Sequence, residues 1–138
     1  MGRILGIDYG QKRIGIAVTD PLKITASGLT SLKPHEIFSF LTDYFRREEV
    51  ECVVLGYPLR MNNEPSDALK YVLQFEKAFR RKYPEVKLVL EDERFTSKLA
   101  VQAMVQGGMK KKERRKKETI DKISAAIILQ SYLEGQQR

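Results

Sequence analysis

Two apolar runs near the start of the chain, Ile4-Leu5-Gly6-Ile7 and Ile14-Gly15-Ile16-Ala17-Val18, are separated by Asp8-Tyr9-Gly10-Gln11-Lys12-Arg13. Runs of this kind on either side of a short Gly-containing segment predict two adjacent strands joined by a tight turn. Asp8 then falls at the end of a buried strand, where a rigid backbone can hold a carboxylate toward a cleft. Gly10 leaves space beside it. The simpler alternative is that Asp8 caps backbone N–H groups of the turn, so its role depends on which other acids the fold gathers.

The stretch from Ile24 to Leu32 alternates loosely and is rich in Ser and Thr, which predicts a third, edge-like strand. Pro34 opens a helix with Ile37, Phe38, Leu41, Tyr44 and Phe45 at helical spacing. Val50 to Gly56 is almost continuously apolar, the pattern of a strand covered on both faces. It leads into a loop over Gly56-Tyr57-Pro58-Leu59-Arg60-Met61-Asn62-Asn63. A second helix begins near Ser66, carries Leu69, Val72, Leu73, Phe75, Phe79 and Tyr83, and stops at Pro84. Val86 to Leu90 is the next strand and runs into Glu91-Asp92-Glu93-Arg94. Thr96 or Ser97 can cap a further helix to Met104 or Val105, closed by Gly107-Gly108. A last helix, from about Glu118 to Leu133, presents Ile120, Ile123, Ile127 and Leu133 on one side. Helices between the later strands imply parallel crossovers, whereas the opening hairpins are antiparallel. The expectation is a single α/β domain over 1–138, a mixed five-stranded sheet with helices on both faces. Ligands of such sheets bind at the C-terminal edge of the parallel strands, which Asp8, the Gly56 loop and the Glu91 to Glu93 cluster would all reach.

Composition narrows the chemistry. Cys52, the only cysteine, lies inside an apolar run and is expected as a core thiol. His35, the only histidine, follows Pro34 at a helix start. Multi-histidine zinc sites are therefore excluded, and a conventional Cys/His nucleophilic pair is not expected. No apolar run reaches the roughly 18 residues that span a bilayer, so a cytoplasmic protein without membrane contact is expected. Lys and Arg outnumber acids 25 to 18, a net charge of +7, and the excess concentrates in Lys110-Lys111-Lys112-Glu113-Arg114-Arg115-Lys116-Lys117. Such a run is either a solvated segment or an attractor of a phosphate backbone.

Three acid positions then ask for one explanation: Asp8, the Asp92-Glu93 pair and Asp121. Asp121 precedes Ser124-Ala125-Ala126, a thin part of the last helix that can approach the sheet closely. Asp20, between Thr19 and Pro21, reads as a turn residue. Carboxylates gathered without partners repel one another, so a fold collects them around a cation. Mg²⁺ or Mn²⁺ suits hard oxygen donors, and two such ions about 3.5–4 Å apart can promote phosphodiester cleavage. Strand alternation forbids Glu91, Asp92 and Glu93 from all facing inward: either Asp92 is the inward acid, or Glu91 and Glu93 are.

With these residues in place the chain resembles the YqgF family, also called RuvX, of the RNase H-like superfamily, whose members are described as pre-16S ribosomal RNA nucleases and as Holliday junction resolvases. The resemblance spans nearly the whole chain. It rests on Asp8-Tyr9-Gly10 to Asp20, on Gly56-Tyr57-Pro58 with Met61, on Asp92-Glu93-Arg94-Phe95-Thr96, and on Asp121 followed by Ala125-Ala126 and Ile128-Leu129-Gln130. It implies an RNase H-like fold and a divalent-metal nuclease, with Asp8, Glu93 and Asp121 as catalytic acids and metal ligands. Glu93 is implied over Asp92. Lys12, Arg13, Arg60 and Arg94, together with Lys110, Lys111, Lys112, Arg114 and Arg115, become candidates for nucleic-acid contact. The implied substrate is precursor ribosomal RNA. Branched DNA is the alternative, and a non-catalytic nucleic-acid-binding module is a further reading. The chain is expected as a monomer or homodimer, a resolvase requiring two sites related by a dyad. A phosphate loop of an actin-like ATPase would need a second lobe that 138 residues do not supply.

Overall fold

The opening runs pair as their patterning requires. Strand β1 (Arg3–Tyr9) lies antiparallel to β2 (Ile14–Thr19), with Asp8 directly opposite Gly15 and Gly6 opposite Ala17. The turn closes through the Gly10 N–H, which donates to the Arg13 carbonyl at 3.0 Å. The structure, a computed structural model, describes residues 2–57, 67–92 and 116–136.

Strand β3 (Ala26–Leu32) returns antiparallel to β2 and forms one edge of the sheet. It starts two residues later than the Ile24 expected from alternation. The cause is Asp20, whose carboxylate accepts from the Ile24 and Thr25 N–H groups at 2.8 Å and from Leu22 N–H at 3.1 Å. These bonds hold Leu22 and Ile24 in an exposed turn, with Lys23 at φ 60°. Asp20 is thus the turn residue its neighbours suggested.

Pro34–Glu36 forms a single 3-10 turn before α1 (Ile37–Arg47), which buries Ile37, Leu41 and Tyr44. Strand β4 (Val50–Tyr57) pairs parallel to β1, and after α2 (Asp67–Lys82) strand β5 (Lys87–Asp92) pairs parallel to β4. The resulting five-stranded order is β3-β2-β1-β4-β5. The last described helix, α3 (Lys117–Gln136), crosses the sheet on the side opposite α1 and α2.

The two faces carry separate apolar cores. On one, Leu5, Ile7, Val53, Leu55 and Leu88 meet Leu41, Val72, Phe75 and Phe79. On the other, Ile4, Ala17, Cys52 and Val54 meet Ala125, Ile128, Leu129 and Leu133. Each fully buried Leu, Ile or Phe contributes about 1.5–3 kcal/mol relative to exposure. Burial also pushes the Cys52 thiol up, as expected of a core cysteine.

Two helix stripes differ from their spacing. Leu73 is exposed, because Leu69, Val72, Phe75 and Phe79 already fill the face of α2 toward the sheet. In α3 the buried line is Ser124, Ala125, Ile128, Leu129 and Leu133, whereas Ile120, Ile123 and Ile127 are only half-buried. Steric room decides this orientation. A Cβ on Gly6 would lie 2.9 Å from the Ala125 carbonyl oxygen and from Leu129 Cβ, and one on Gly15 would run into the Asp121 carbonyl. The helix therefore sinks into a glycine-lined strip, with Ala125 and Leu129 on Gly6, Asp121 on Gly15 and Lys122 on Gly28. The Pro58 to Asn63 part of the predicted loop, the helix start at Ser66, the helix from Thr96 or Ser97 to Val105, Gly107-Gly108 and Lys110 to Arg115 lie outside the described residues.

Candidate active site

Asp8 sits one residue from the end of β1, and alternation sets its face. Its neighbour Tyr9 stacks on Phe75 with ring centroids 4.8 Å apart, so Tyr9 belongs to the α1/α2 side. Asp8 accordingly points to the α3 side with Ile4 and Gly6. On the opposite face, burial pushes the Tyr9 phenol up.

Asp121 arrives from the other end of the sequence. Gly15, the cross-strand partner of Asp8, is where the Asp121 main chain rests on the sheet. Its carboxylate is held in a two-point clamp: Arg13 Nε donates to Oδ2 at 2.7 Å, and Ser31 Oγ donates to the same oxygen at 3.2 Å. Arg13 stands in the β1–β2 turn and Ser31 near the end of β3, so two separate segments fix one side chain. The Arg13 and Asp121 side chains are 31% and 17% exposed. A charge-assisted bond of this length is roughly twice as strong as a neutral one. Arg13, expected to face phosphate, thus engages an acid of the site. Lys12 beside it is exposed.

Ser31 is a site residue that sequence reasoning missed. The register of β2 and β3 shifts between Ile16 and Ala17, where Ile16 faces Thr30 but Ala17 faces Gly28. This irregularity keeps both Gly28 and Ser31 on the α3 side, and simple alternation along β3 gives no sign of it.

At the far edge, β5 separates the acids by face. Leu88 belongs to the α1/α2 core and Val89 packs against the α3 core. Asp92 therefore shares the Leu88 face, away from Asp8, and Glu91 takes the α3 face, where its Oε1 accepts from Ser131 Oγ at 3.0 Å. Glu93, Arg60, Arg94, Lys110, Lys111, Lys112, Arg114 and Arg115 lie outside the described residues.

The structure brings Asp8 and Asp121 to one face at the C-terminal edge of the parallel strands. No cluster of three potential metal-ligating side chains occurs among the described residues. The two acids offer hard oxygen donors without sulfur, a chemistry that suits Mg²⁺ or Mn²⁺ rather than a thiophilic metal. Cys52 lies opposite Ile4, four strand residues from Asp8, or about 13 Å along the strand. Among the described residues no helix is long and apolar enough to cross a membrane.

Comparison with known proteins agrees with this architecture. T. thermophilus RuvC, solved in complex with Holliday junction substrate, superposes with a TM-score of 0.57 at 19% identity, covering 99% of this chain and 96% of that one. That likeness shows a shared RNase H-like fold. Sequence relatives are nearer. A protein of Christiangramia forsetii named "Putative pre-16S rRNA nuclease" is 53% identical over 133 residues, covering 96% of this chain and 98% of its own. One of the same name from Porphyromonas gingivalis is 49% identical over 138 residues, with both chains fully covered. The family model described as "RuvX: Holliday junction resolvase" matches residues 2–135. Its span takes in Asp8, the Arg13–Asp121 clamp and all five strands, and the chain belongs to the RuvX family.

Proposed function

We propose that this chain is a divalent-metal-dependent endonuclease that hydrolyses phosphodiester bonds in structured RNA, with the precursor of 16S ribosomal RNA as substrate and the 5′-end maturation cut as its reaction. The observation that carries the reading is the seating of Asp121 on Gly15, which brings the acid of the last helix beside the strand position paired with Asp8. Family membership and the names of the relatives support the substrate class. The reading treats residues 1–138 as one nuclease domain acting in the cytoplasm.

Asp8 and Asp121 would hold Mg²⁺ or Mn²⁺, with Glu93 as third ligand. The family resemblance favours Glu93 over Asp92, and Asp92 shares the face of Leu88, away from Asp8. Bound there, the metal would supply activation of water and neutralisation of the charge that builds on the phosphate and the leaving oxygen. The protein's own part is positional. β1 fixes Asp8 in the sheet, the Arg13–Ser31 clamp fixes the rotamer of Asp121 before metal and substrate arrive, and Lys12 draws the phosphate backbone toward the edge. Arg60, Arg94 and the Lys110 to Arg115 run would extend that contact. Water is the nucleophile, so no covalent intermediate with the protein forms.

The test is cleavage of two labelled substrates, a precursor ribosomal RNA fragment and a four-way DNA junction, by wild type and Asp121→Asn, each with Mg²⁺, Mn²⁺ or EDTA. Metal-dependent cutting of the RNA that the substitution abolishes is the expected result. Cutting of the junction alone would reassign the chain to DNA resolution and require a homodimer. Binding without cutting under every condition would make it a nucleic-acid-binding module.

A further inference from the structure

Arg13 and a divalent cation have overlapping claims on Asp121. The guanidinium already neutralises this carboxylate at 2.7 Å, and a cation bound to the same group would meet an adjacent positive charge in a partly buried setting, where screening is weak. The two donors of the clamp are unequal in this respect. Ser31 is neutral and can stay on Oδ2 beside a metal, whereas Arg13 carries a full charge, is 31% exposed and sits on a turn. A cavity of about 210 Å³ opens next to the clamp, lined by Arg13, Ser31, Lys12, Lys33, Glu36 and Glu118. Glu36 is engaged there, accepting from the Lys33 N–H at 2.8 Å. With Arg13 on Asp121, the two lysines and two glutamates of the cavity balance. Turned into it, Arg13 makes the cavity cationic and presents a planar fork suited to phosphate.

We propose that Arg13 is exchanged between Asp121 and a substrate phosphate at the Lys12–Lys33 cavity, so that phosphate binding and divalent-metal binding reinforce one another. The inference rests on the metal-dependent reading above. It assigns Arg13 as a counter-ion that stands in for the metal, and Ser31 as the positioning residue that keeps Asp121 in place after the exchange. Coupling of this kind is reciprocal: what RNA does for the metal, the metal does for RNA.

Calorimetric titration of the full chain with Ca²⁺, with and without a saturating short RNA duplex, tests it without relying on turnover. For wild type, RNA should tighten Ca²⁺ binding by about 5- to 150-fold, the usual span of such couplings. Arg13→Gln should bind Ca²⁺ more tightly than wild type in the absence of RNA and gain less from adding it. Ser31→Ala should bind Ca²⁺ more weakly in both conditions, by about 10- to 100-fold as for other partners of metal ligands. Lys33→Gln should leave RNA-free Ca²⁺ affinity unchanged and weaken RNA binding. In wild type, the NMR signal of the Arg13 Nε–H should shift on adding Ca²⁺, which needs no substitution. RNA-free Ca²⁺ affinity that is equal or weaker in Arg13→Gln would overturn the exchange and leave the metal site standing. Wild type that binds neither Ca²⁺ nor Mn²⁺, with or without RNA, would overturn the metal-dependent reading and the exchange with it.

Discussion

Gly15→Ala probes the contact on which the site depends. An added Cβ would lie 2.5 Å from the Asp121 carbonyl carbon and 3.2 Å from its Cα. Carbon atoms settle at about 3.5–4.0 Å, so the first turn of α3 must lift on the order of 1 Å, because backbone opposes the new methyl and cannot rotate away. Overpacking of this kind costs about 1–3 kcal/mol. Restricting the unfolded chain by replacing Gly returns about 0.4–1 kcal/mol, for a net loss of up to about 2.6 kcal/mol. At about 2.1 cal/mol/K of unfolding entropy per residue, a chain of 138 residues loses up to roughly 9 °C in Tm. The functional effect should be larger, since a 1 Å misplacement of a catalytic group costs about 10²-fold. Thermal denaturation and cleavage of precursor RNA by the same preparation measure both. Gly135→Ala is the matched control: nothing lies within 4 Å of its added Cβ, and at a helical position it should be neutral or stabilise by up to about 1 kcal/mol. A Gly15→Ala protein that melts within about 1 °C of wild type and cuts at an undiminished rate would refute the seating of Asp121 on β2.

Asp8→Asn should keep the melting temperature of wild type within a few degrees and lose metal-dependent cleavage; retained cleavage would remove Asp8 from the site. Thr19 is fully buried and its Oγ1 accepts from the Ile4 N–H at 3.0 Å, so Thr19→Val should cost about 1–3 kcal/mol by stranding that donor, read as a lower denaturant midpoint. The Asp20 carboxyl is held below its usual value chiefly by the Thr25 N–H, with Ile24 and Leu22 adding to it. Its folded pKa lies below the unfolded one, so its contribution is present above the unfolded value near 3.8 and fades as pH falls through the folded value. The gap in Tm between wild type and Asp20→Ala should therefore be open at neutral pH and close in the acid range; a gap independent of pH would assign the effect to turn geometry alone.

Much of this was legible from residues with a local physical signature. The paired apolar runs specified the hairpin, and the near-continuous Val50 to Gly56 run specified a strand covered on both faces, as β4 is. The meeting of Asp8 and Asp121 at one sheet face was legible because each follows or precedes a stretch whose small or turn-forming residues allow a close approach. What escaped depended on contacts between segments. Ile24 has the composition of a strand residue, yet Asp20 bonds it into the turn. Ile120, Ile123 and Ile127 have the apolar character of core residues, yet the close approach of α3 at Gly6 and Gly15 turns Ser124, Ala125, Ile128 and Leu129 to the sheet instead. Ser31 gained its role through a register shift in the neighbouring strand. The Arg13–Asp121 pair joins residues far apart in the chain, and neither segment alone indicates the other.

The placement of α3 also sets when Asp121 reaches the sheet face of Asp8. Asp8 is made on the first strand, but the helix that brings Asp121 to it is the last described element, and the same helix covers Ile4, Ala17 and Val54. A nascent chain that has not yet emerged past residue 117 exposes half of its sheet and has only part of its acid set. Docking of α3 is thus delayed until residues 117–136 are made, and the meeting of the two acids waits with it. The same delay leaves a bare apolar sheet face for that interval, and a chain truncated before α3 should be recovered as aggregate rather than as a weakly active fragment.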